Sequence, residues 1–208
     1  ALRYPQKFAD RIIRGPVDPA YPGLPGPIVA FDLAPFNLGT TQTSGVDVVI
    51  NALAPRQDWG QLQFGLQGTY VMQYETQIDG VQFVSMLGSA VYGVPIPRWR
   101  STLTFDWTDG PWGATLAQVY SGGYTDQYPG ADGAPRKVGA ASTWDLQGRY
   151  SGFKRWRLAV GIRNLFDADP PASNALSDPF VVFQSGYNAQ TASPLGRLFY
   201  VRAAYSFS

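Results

Sequence analysis

Any reaction chemistry in this chain would fall to its carboxylates, because little else in it can react. Histidine and cysteine are both absent. That removes the common zinc constellations, thiolate nucleophiles, disulfide frameworks and the Ser-His-Asp triad together. No G-x-S-x-G elbow occurs either. Of the 15 acidic residues only Glu75 is a glutamate, and no spacing marks a pair of carboxylates set for general acid and base work. Asp167 and Asp169 form a D-x-D pair that could open a calcium site, but the remaining oxygen ligands are missing and capping a turn is the simpler role. The expectation is a protein that is not an enzyme, with no catalytic residue, no metal and no cofactor.

The elements around those residues are strands. Among 208 residues there are 23 Gly, 17 Pro, 12 Phe, 12 Tyr and 6 Trp, and charged residues make up only 15%. Such a mixture describes many strands and turns with few surface helices. A net charge of +1 leaves no basic footprint, so nucleic acid is not expected as a partner. No apolar run approaches the roughly 20 residues of a membrane-spanning helix, and no charged-then-apolar leader opens the chain. A membrane role would have to use strands. The start at Ala1 without a Met suggests a chain processed or cut from something longer.

Residues 1–27 read as an irregular lead-in, punctuated by Pro5, Pro16, Pro19, Pro22, Pro25 and Pro27, with one helical hint at Phe8 to Arg14. From Ile28 the period becomes two. Ile28 to Leu33 and Thr41 to Leu53 are expected as a hairpin around Asn37-Leu38-Gly39. Gln61 to Glu75 follows, with Leu62, Phe64, Leu66, Tyr70, Met72 and Tyr74 on one face. Further strands are expected at Arg98 to Thr108, Trp112 to Tyr120, Ser142 to Tyr150, Trp156 to Phe166 and Leu198 to Phe207, making eight. Several exceed the usual globular strand of about 5–6 residues and suit a bilayer crossing, which needs roughly 9–11.

Short links at Ala54–Gln57, Asp109–Pro111 and Ser151–Arg155 alternate with long ones at about 78–94, 122–139 and 167–196. An antiparallel up-and-down transmembrane β-barrel has this asymmetry, with tight turns at one end and large loops at the other. Trp59, Trp112 and Trp156 each follow a short turn and would form an aromatic girdle at one membrane interface, with Phe207 at the same level. A soluble sandwich also starts buried strands with tryptophan and also has one dry and one wet face. In a bilayer the apolar face turns out to lipid instead. Asp47, Glu75, Arg98, Arg100, Asp106, Asp145, Arg149, Arg157, Arg163 and Arg202 would then line a polar interior, mostly bracing its wall.

The segment Gly161-Ile-Arg-Asn-Leu-Phe-Asp167, then Asp169-Pro170-Pro171, then Ser193-Pro-Leu-Gly-Arg197 leading into Phe199-Tyr200-Val201 and Tyr205-Ser206-Phe207, resembles the C-terminal end of TonB-dependent outer-membrane receptors. Asn37-Leu-Gly-Thr-Thr-Gln-Thr-Ser-Gly-Val-Asp47 resembles a hairpin of the same family. The likeness runs from about Ile28 to the end. It implies a 22-stranded barrel with an N-terminal plug, importing a scarce nutrient such as siderophore-bound iron, cobalamin or an oligosaccharide. Residues 28–208 would be its last eight strands. The implied partners are outer-membrane lipid in a Gram-negative bacterium, the TonB complex through a missing N-terminal region, the barrel-assembly machinery through the C-terminal strand, and a small-molecule ligand. Ser208 departs from the family pattern, which usually ends on the aromatic itself.

In such a receptor the ligand would meet the long loops, where aromatics supply contact area and a few polar groups fix orientation. The candidates are Tyr92 in the first loop, Tyr124, Asp126 and Tyr128 in the second, and Phe180, Phe183, Tyr187 and Asn188 in the third. Each could instead pack the loops on one another. Eight strands could also close alone into a small barrel with a structural or adhesive role, and a carbohydrate-binding sandwich is a third option.

Overall fold

The computed structural model describes residues 9–33, 39–78, 82–91, 94–127, 129–130, 132–174, 186–189 and 191–207. It divides into two compact units, 1–39 and 40–208.

In the first unit a single 3-10 turn, Ala9–Arg11, runs into a strand at Ile12–Arg14. That strand pairs antiparallel with Ile28–Phe31, Ile12 opposite Phe31 and Ile13 opposite Ala30, with a bulge before Arg14. Ile28–Phe31 is therefore a strand as expected, but its partner is Ile12–Arg14 and not the segment from Thr41. The prolines between the two strands lie where no ladder N–H is needed. The loop is closed by Gly15 N donating to Pro27 O at 2.8 Å and Arg14 Nη1 donating to Gly26 O at 2.8 Å. A Cβ on Gly26 would sit 1.9 Å from the Gly15 carbonyl oxygen, so only glycine permits this approach.

The second unit is one antiparallel sheet. Its long strands are β1 (Gly39–Leu53), β2 (Gln61–Ile78), β3 (Trp99–Asp109), β4 (Trp112–Ser121), β5 (Ala141–Tyr150), β6 (Trp156–Arg163) and β7 (Leu198–Tyr205). They pair in sequence order from β1 to β7, and the short strand Val84–Ser85 adds to β2 as the eighth. The sheet thus has eight strands, but the eighth is Val84–Ser85 on β2 and not the expected Ile28–Leu33 beside β1. Each remaining partner is simply the next long strand, which is the cheapest pairing where turns are short.

Two strands stop earlier than their alternation implies. β6 ends at Arg163 because Asn164 and Asp167 take φ values of 50° and 56°, in the left-handed region that Asn and Asp tolerate. β7 ends at Tyr205. The connections at 54–60, 110–111 and 151–155 lie at one end of the sheet, and those at 79–98, 122–140 and 164–197 at the other. The sheet is a wall one layer thick. Among the described residues, the buried hydrophobic cluster of this unit is Ala90, Tyr124 and Val138, all in the long connections.

Candidate functional site

Register decides which side chains share a face, since directly opposed residues point the same way and the side-chain period is two. One row crosses the sheet as Phe64, Phe105, Leu116, Leu146, Ile162 and Phe199. The next runs Leu62, Trp107, Ala114, Gly148, Val160 and Val201. This face is apolar. The rows between them carry Gln63, Asp106, Thr115, Gln147, Gly161 and Tyr200 on the opposite, polar face. There Thr115 Oγ1 donates to Asp106 Oδ1 at 2.5 Å, and Arg149 Nη1 donates to Thr115 Oγ1 at 3.0 Å and lies 3.5 Å from Asp106. Tyr200 OH donates to Gln147 Oε1 at 3.2 Å, and Thr69 Oγ1 donates to Asp47 Oδ1 at 2.6 Å. Of the charges expected on this face, Asp47, Asp106 and Arg149 brace it through such pairs. Arg98 is an exception: it lies before β3, and its guanidinium sits 6.0 Å from the ring centroid of Tyr70, which belongs to the apolar row with Trp99.

The apolar face is bordered by aromatics at both ends. At the short-turn end Trp112 stacks with Tyr150 at 4.4 Å, Tyr150 with Phe153 at 5.1 Å, Trp156 with Tyr205 at 5.0 Å and Tyr205 with Phe207 at 4.9 Å. Trp59 lies in the 54–60 turn, where its carbonyl accepts from Trp107 Nε1 at 2.8 Å. All four expected girdle residues stand at this end and are exposed, Phe207 by 94%. A second belt, which the sequence reading missed, stands at the long-loop end. Tyr70 opposes Trp99, Ser101 opposes Tyr120, Gln118 opposes Trp144, and Trp144 meets Phe166 edge to face at 6.5 Å. Trp107 to Trp99, and Trp112 to Tyr120, are spacings of eight residues. At about 3.3 Å per residue this is roughly 26 Å along the strand. With a tilt of about 40° the vertical separation is near 20 Å, close to the apolar band of an outer-membrane barrel.

The long connections are knitted together at Asp126, which is 8% exposed. Its Oδ2 accepts from Ser173 Oγ at 2.9 Å and from the Asn174 backbone N–H, and its Oδ1 accepts from Gln127 N at 3.0 Å. Asp126 N donates to Arg136 O at 2.8 Å, and Thr125 N reaches Gly88 O at 2.7 Å. One carboxylate therefore joins the second long connection to the third, while its neighbour reaches the first. Tyr124 is buried beside it. Burial raises its phenol above the ordinary tyrosine value, the Asp126 charge adds to this, and Ser173, Asn188 and Thr191 pull the other way, none of them in hydrogen-bond geometry with the phenol oxygen.

Of the expected ligand-contacting residues, Tyr124, Asp126 and Asn188 are thus buried in this cluster and Tyr187 is half-buried, bridging to Ala172. Tyr92, Tyr128, Phe180 and Phe183 lie outside the described residues. The structure brings the buried three together as the joint between loops.

A cavity of about 450 Å³ lies between the polar face and the third connection. Its polar lining includes Asp145, Arg163, Asn164, Asp169, Thr191 and Ser193. It offers one cation, two carboxylates and hydroxyl groups, which suits orienting a polar ligand more than reacting with one. Among the described residues no group of three carboxylates is placed to hold a metal ion.

The neck of the third connection is a staple. Asn164 N donates to Asp145 Oδ1 at 2.9 Å, and the Asn164 amide donates to Ala168 O and accepts from Ala168 N, both at 2.9 Å. Asp167 Oδ1 accepts from Arg197 N at 2.6 Å, and Arg197 Nε donates to Leu165 O at 2.9 Å. Asp167 therefore caps the turn, and the two motifs that carried the family resemblance are one hydrogen-bonded unit. The model of a TonB dependent receptor-like β-barrel matches residues 4–165.

The chain belongs to the TonB-dependent receptor β-barrel family. Solved structures of the ferric enterobactin receptor of Pseudomonas aeruginosa share its fold. One mutant is 19% identical with a TM-score of 0.50, a double mutant is 21% identical with 0.53, and a mutant in complex with enterobactin is 20% identical with 0.51. Each match covers 79% of this chain and 22% of the receptor, so the chain spans about a fifth of the length of those barrels. No curated protein matches.

Proposed function

We propose that the chain is the C-terminal part of an outer-membrane TonB-dependent receptor that imports a scarce nutrient, siderophore-bound iron, cobalamin or an oligosaccharide. The carrying observation is the apolar face held between two aromatic belts, with a charged, hydrogen-bonded face behind it. Family membership adds the class, and TonB-dependent receptors are transport proteins and not enzymes. Among the described residues, β1 and β7 are each paired within the sheet along one edge. In lipid the other edges need further strands, which a full barrel supplies. The TonB complex and a plug would act through parts of the receptor beyond these residues, and Phe207 beside Tyr205 would present the terminal aromatic strand to the assembly machinery.

The 450 Å³ cavity is where this chain would meet part of the nutrient, Arg163 and Asp169 orienting its polar groups. The test is uptake. A strain lacking the whole gene is offered labelled ferric siderophores, cobalamin and oligosaccharides, with and without functional TonB. Loss of TonB-dependent uptake of one class, restored by the gene, is the expected result. Unchanged uptake of all three classes sinks the reading.

A further inference from the structure

The apolar face is uneven, with a notch beside the short-turn belt. In the row Leu62, Trp107, Ala114, Gly148, Val160 and Val201 the middle two positions carry a methyl group and a hydrogen. A Cβ on Gly148 would meet only Val160 Cγ2, at 3.9 Å. Tyr150, one row nearer the turn, leans away from the gap: its hydroxyl lies 2.3 Å from where a Cβ of Gly152 would be, so glycine there lets the ring fold down over the turn. What is left is a groove of about 540 Å³ walled by Trp112, Tyr150 and Phe153 on one side and Leu158 and Val160 on the other.

Directly beyond the groove, the turn Ser151–Arg155 carries Lys154 and Arg155, both exposed. Its backbone is fixed from both sides, by Ser151 N on Pro111 O at 2.9 Å and by Ser206 N on Arg155 O at 2.9 Å. Arg155 Nη1 donates to Tyr205 OH at 3.2 Å, which directs the guanidinium along the belt. No carboxylate lies in this turn. On the neighbouring turn Asp109 is already held by Arg56 at 3.1 Å. The arrangement is an apolar slot running about 7 Å along the strands, the rise of two residues, from the Gly148 row to the aromatic belt, ending at two exposed cations on a turn held from both sides.

We infer that this notch is a binding site for one anionic phospholipid of the short-turn leaflet, an acyl chain lying in the gap at Gly148 and the phosphate meeting Lys154 and Arg155. The inference rests on the membrane-spanning reading of the sheet. Lipid tails gain little from a flat apolar wall but do gain contact from a slot of their own width. A pair of cations at headgroup level selects negative charge. Aromatic rings flanking both would hold the glycerol region at a fixed depth.

The test uses the full-length receptor in liposomes, with phosphatidylglycerol or phosphatidylcholine carrying bromine on the acyl chain as fluorescence quencher. The Trp112 signal is isolated by difference from Trp112→Phe. Brominated phosphatidylglycerol should quench Trp112 at a mole fraction roughly thirtyfold lower than brominated phosphatidylcholine, the combined effect of two cations near an anionic surface. Gly148→Leu, which fills the slot, and Lys154→Glu should each bring the two lipids to parity while the heat-modifiable gel mobility of the folded barrel is kept. Equal quenching by both lipids in the unsubstituted protein overturns the site, and so does a preference that survives both substitutions. Stronger quenching by brominated lipid A than by phosphatidylglycerol would place the groove in the opposite leaflet and also overturn it. Failure of the membrane reading has a different signature: none of the 6 tryptophans would be quenched by any brominated lipid.

Discussion

Strand β4 and the connection that follows it are neighbours in sequence and unlike in physics. From Trp112 to Tyr120 the apolar side chains are exposed or half-buried, and order comes from ladders to β3 and β5 with alternate residues facing opposite ways. A few residues later Tyr124 and Asp126 are 7% and 8% exposed, and order comes from one carboxylate joining segments nearly fifty residues apart. The wall is local, repetitive and completed by its solvent. The loop joint is non-local, singular and completed by itself. Substitutions in the wall should therefore act according to face, and substitutions in the joint according to hydrogen-bond partner.

The largest effect should separate two adjacent residues of β4. Leu116→Arg puts a charge midway between the two belts and should cost the folded barrel ~2–4 kcal/mol. Ala117→Arg, one residue on and opposite Asp145 on the polar face, should cost almost nothing. Denaturant titration of the refolded receptor in lipid measures both, and equal costs would erase the distinction between faces. Next comes the joint: Asp126→Ala leaves the Ser173, Asn174 and Gln127 donors without their acceptor and should loosen the loops by about 2–3 kcal/mol. Hydrogen exchange should rise in residues 122–140 and 164–174 while the strands stay protected. Exchange rising equally in the strands would show that the two regions are one cooperative unit.

Smaller is the neck. Asp167→Ala removes the acceptor of Arg197 N and places alanine at a φ of 56°, a loss of about 1–2 kcal/mol visible as proteolysis between β6 and β7. The smallest concerns Tyr124. Its raised pKa means the neutral phenol is favoured in the folded joint. The associated stability is complete below the unfolded tyrosine value and fades as pH rises through the folded one. Loops should thus open under alkaline conditions, above about pH 10. Tyr124→Phe should change neutral-pH stability by less than about 0.5 kcal/mol and abolish that alkaline step. An unaltered step would mean another group controls it.

How much of this was legible follows the same division. Period two places every long strand, because each has one apolar face and register to the next is set by a short turn. The tryptophans after the short turns could be aligned from sequence for that reason. Trp99, Tyr120 and Trp144 could not, since they flank long connections and only the pairing of β3, β4 and β5 brings them to one level. Ile28–Phe31 alternates as a strand should, yet alternation names no partner, and Ile12–Arg14, expected as part of a helical turn, is a strand only three residues long, too short for period two to show. Asp126 and Asn188 read as loop polar groups of the kind that meet ligands. Asp126 is held by Ser173 and Asn174, forty-seven and forty-eight positions away, which no local pattern announces. Asn164 and Asp167 did stand out, as family motifs, but their reason, left-handed backbone and a bond to Arg197, is visible only in three dimensions.

The staple at that neck separates two jobs usually entangled in one piece of chain. Because Asp167, Leu165 and Arg197 close the segment from 168 to 196 where it leaves the wall, most of the cost of joining β6 to β7 is met at the base, and lengthening the segment adds only about 0.6 kcal/mol per doubling. Residues above the neck can be exchanged, inserted or deleted without shifting the register of the strands below. The neck is thus a socket into which a protein engineer could set foreign peptide while the strands below keep their pairing.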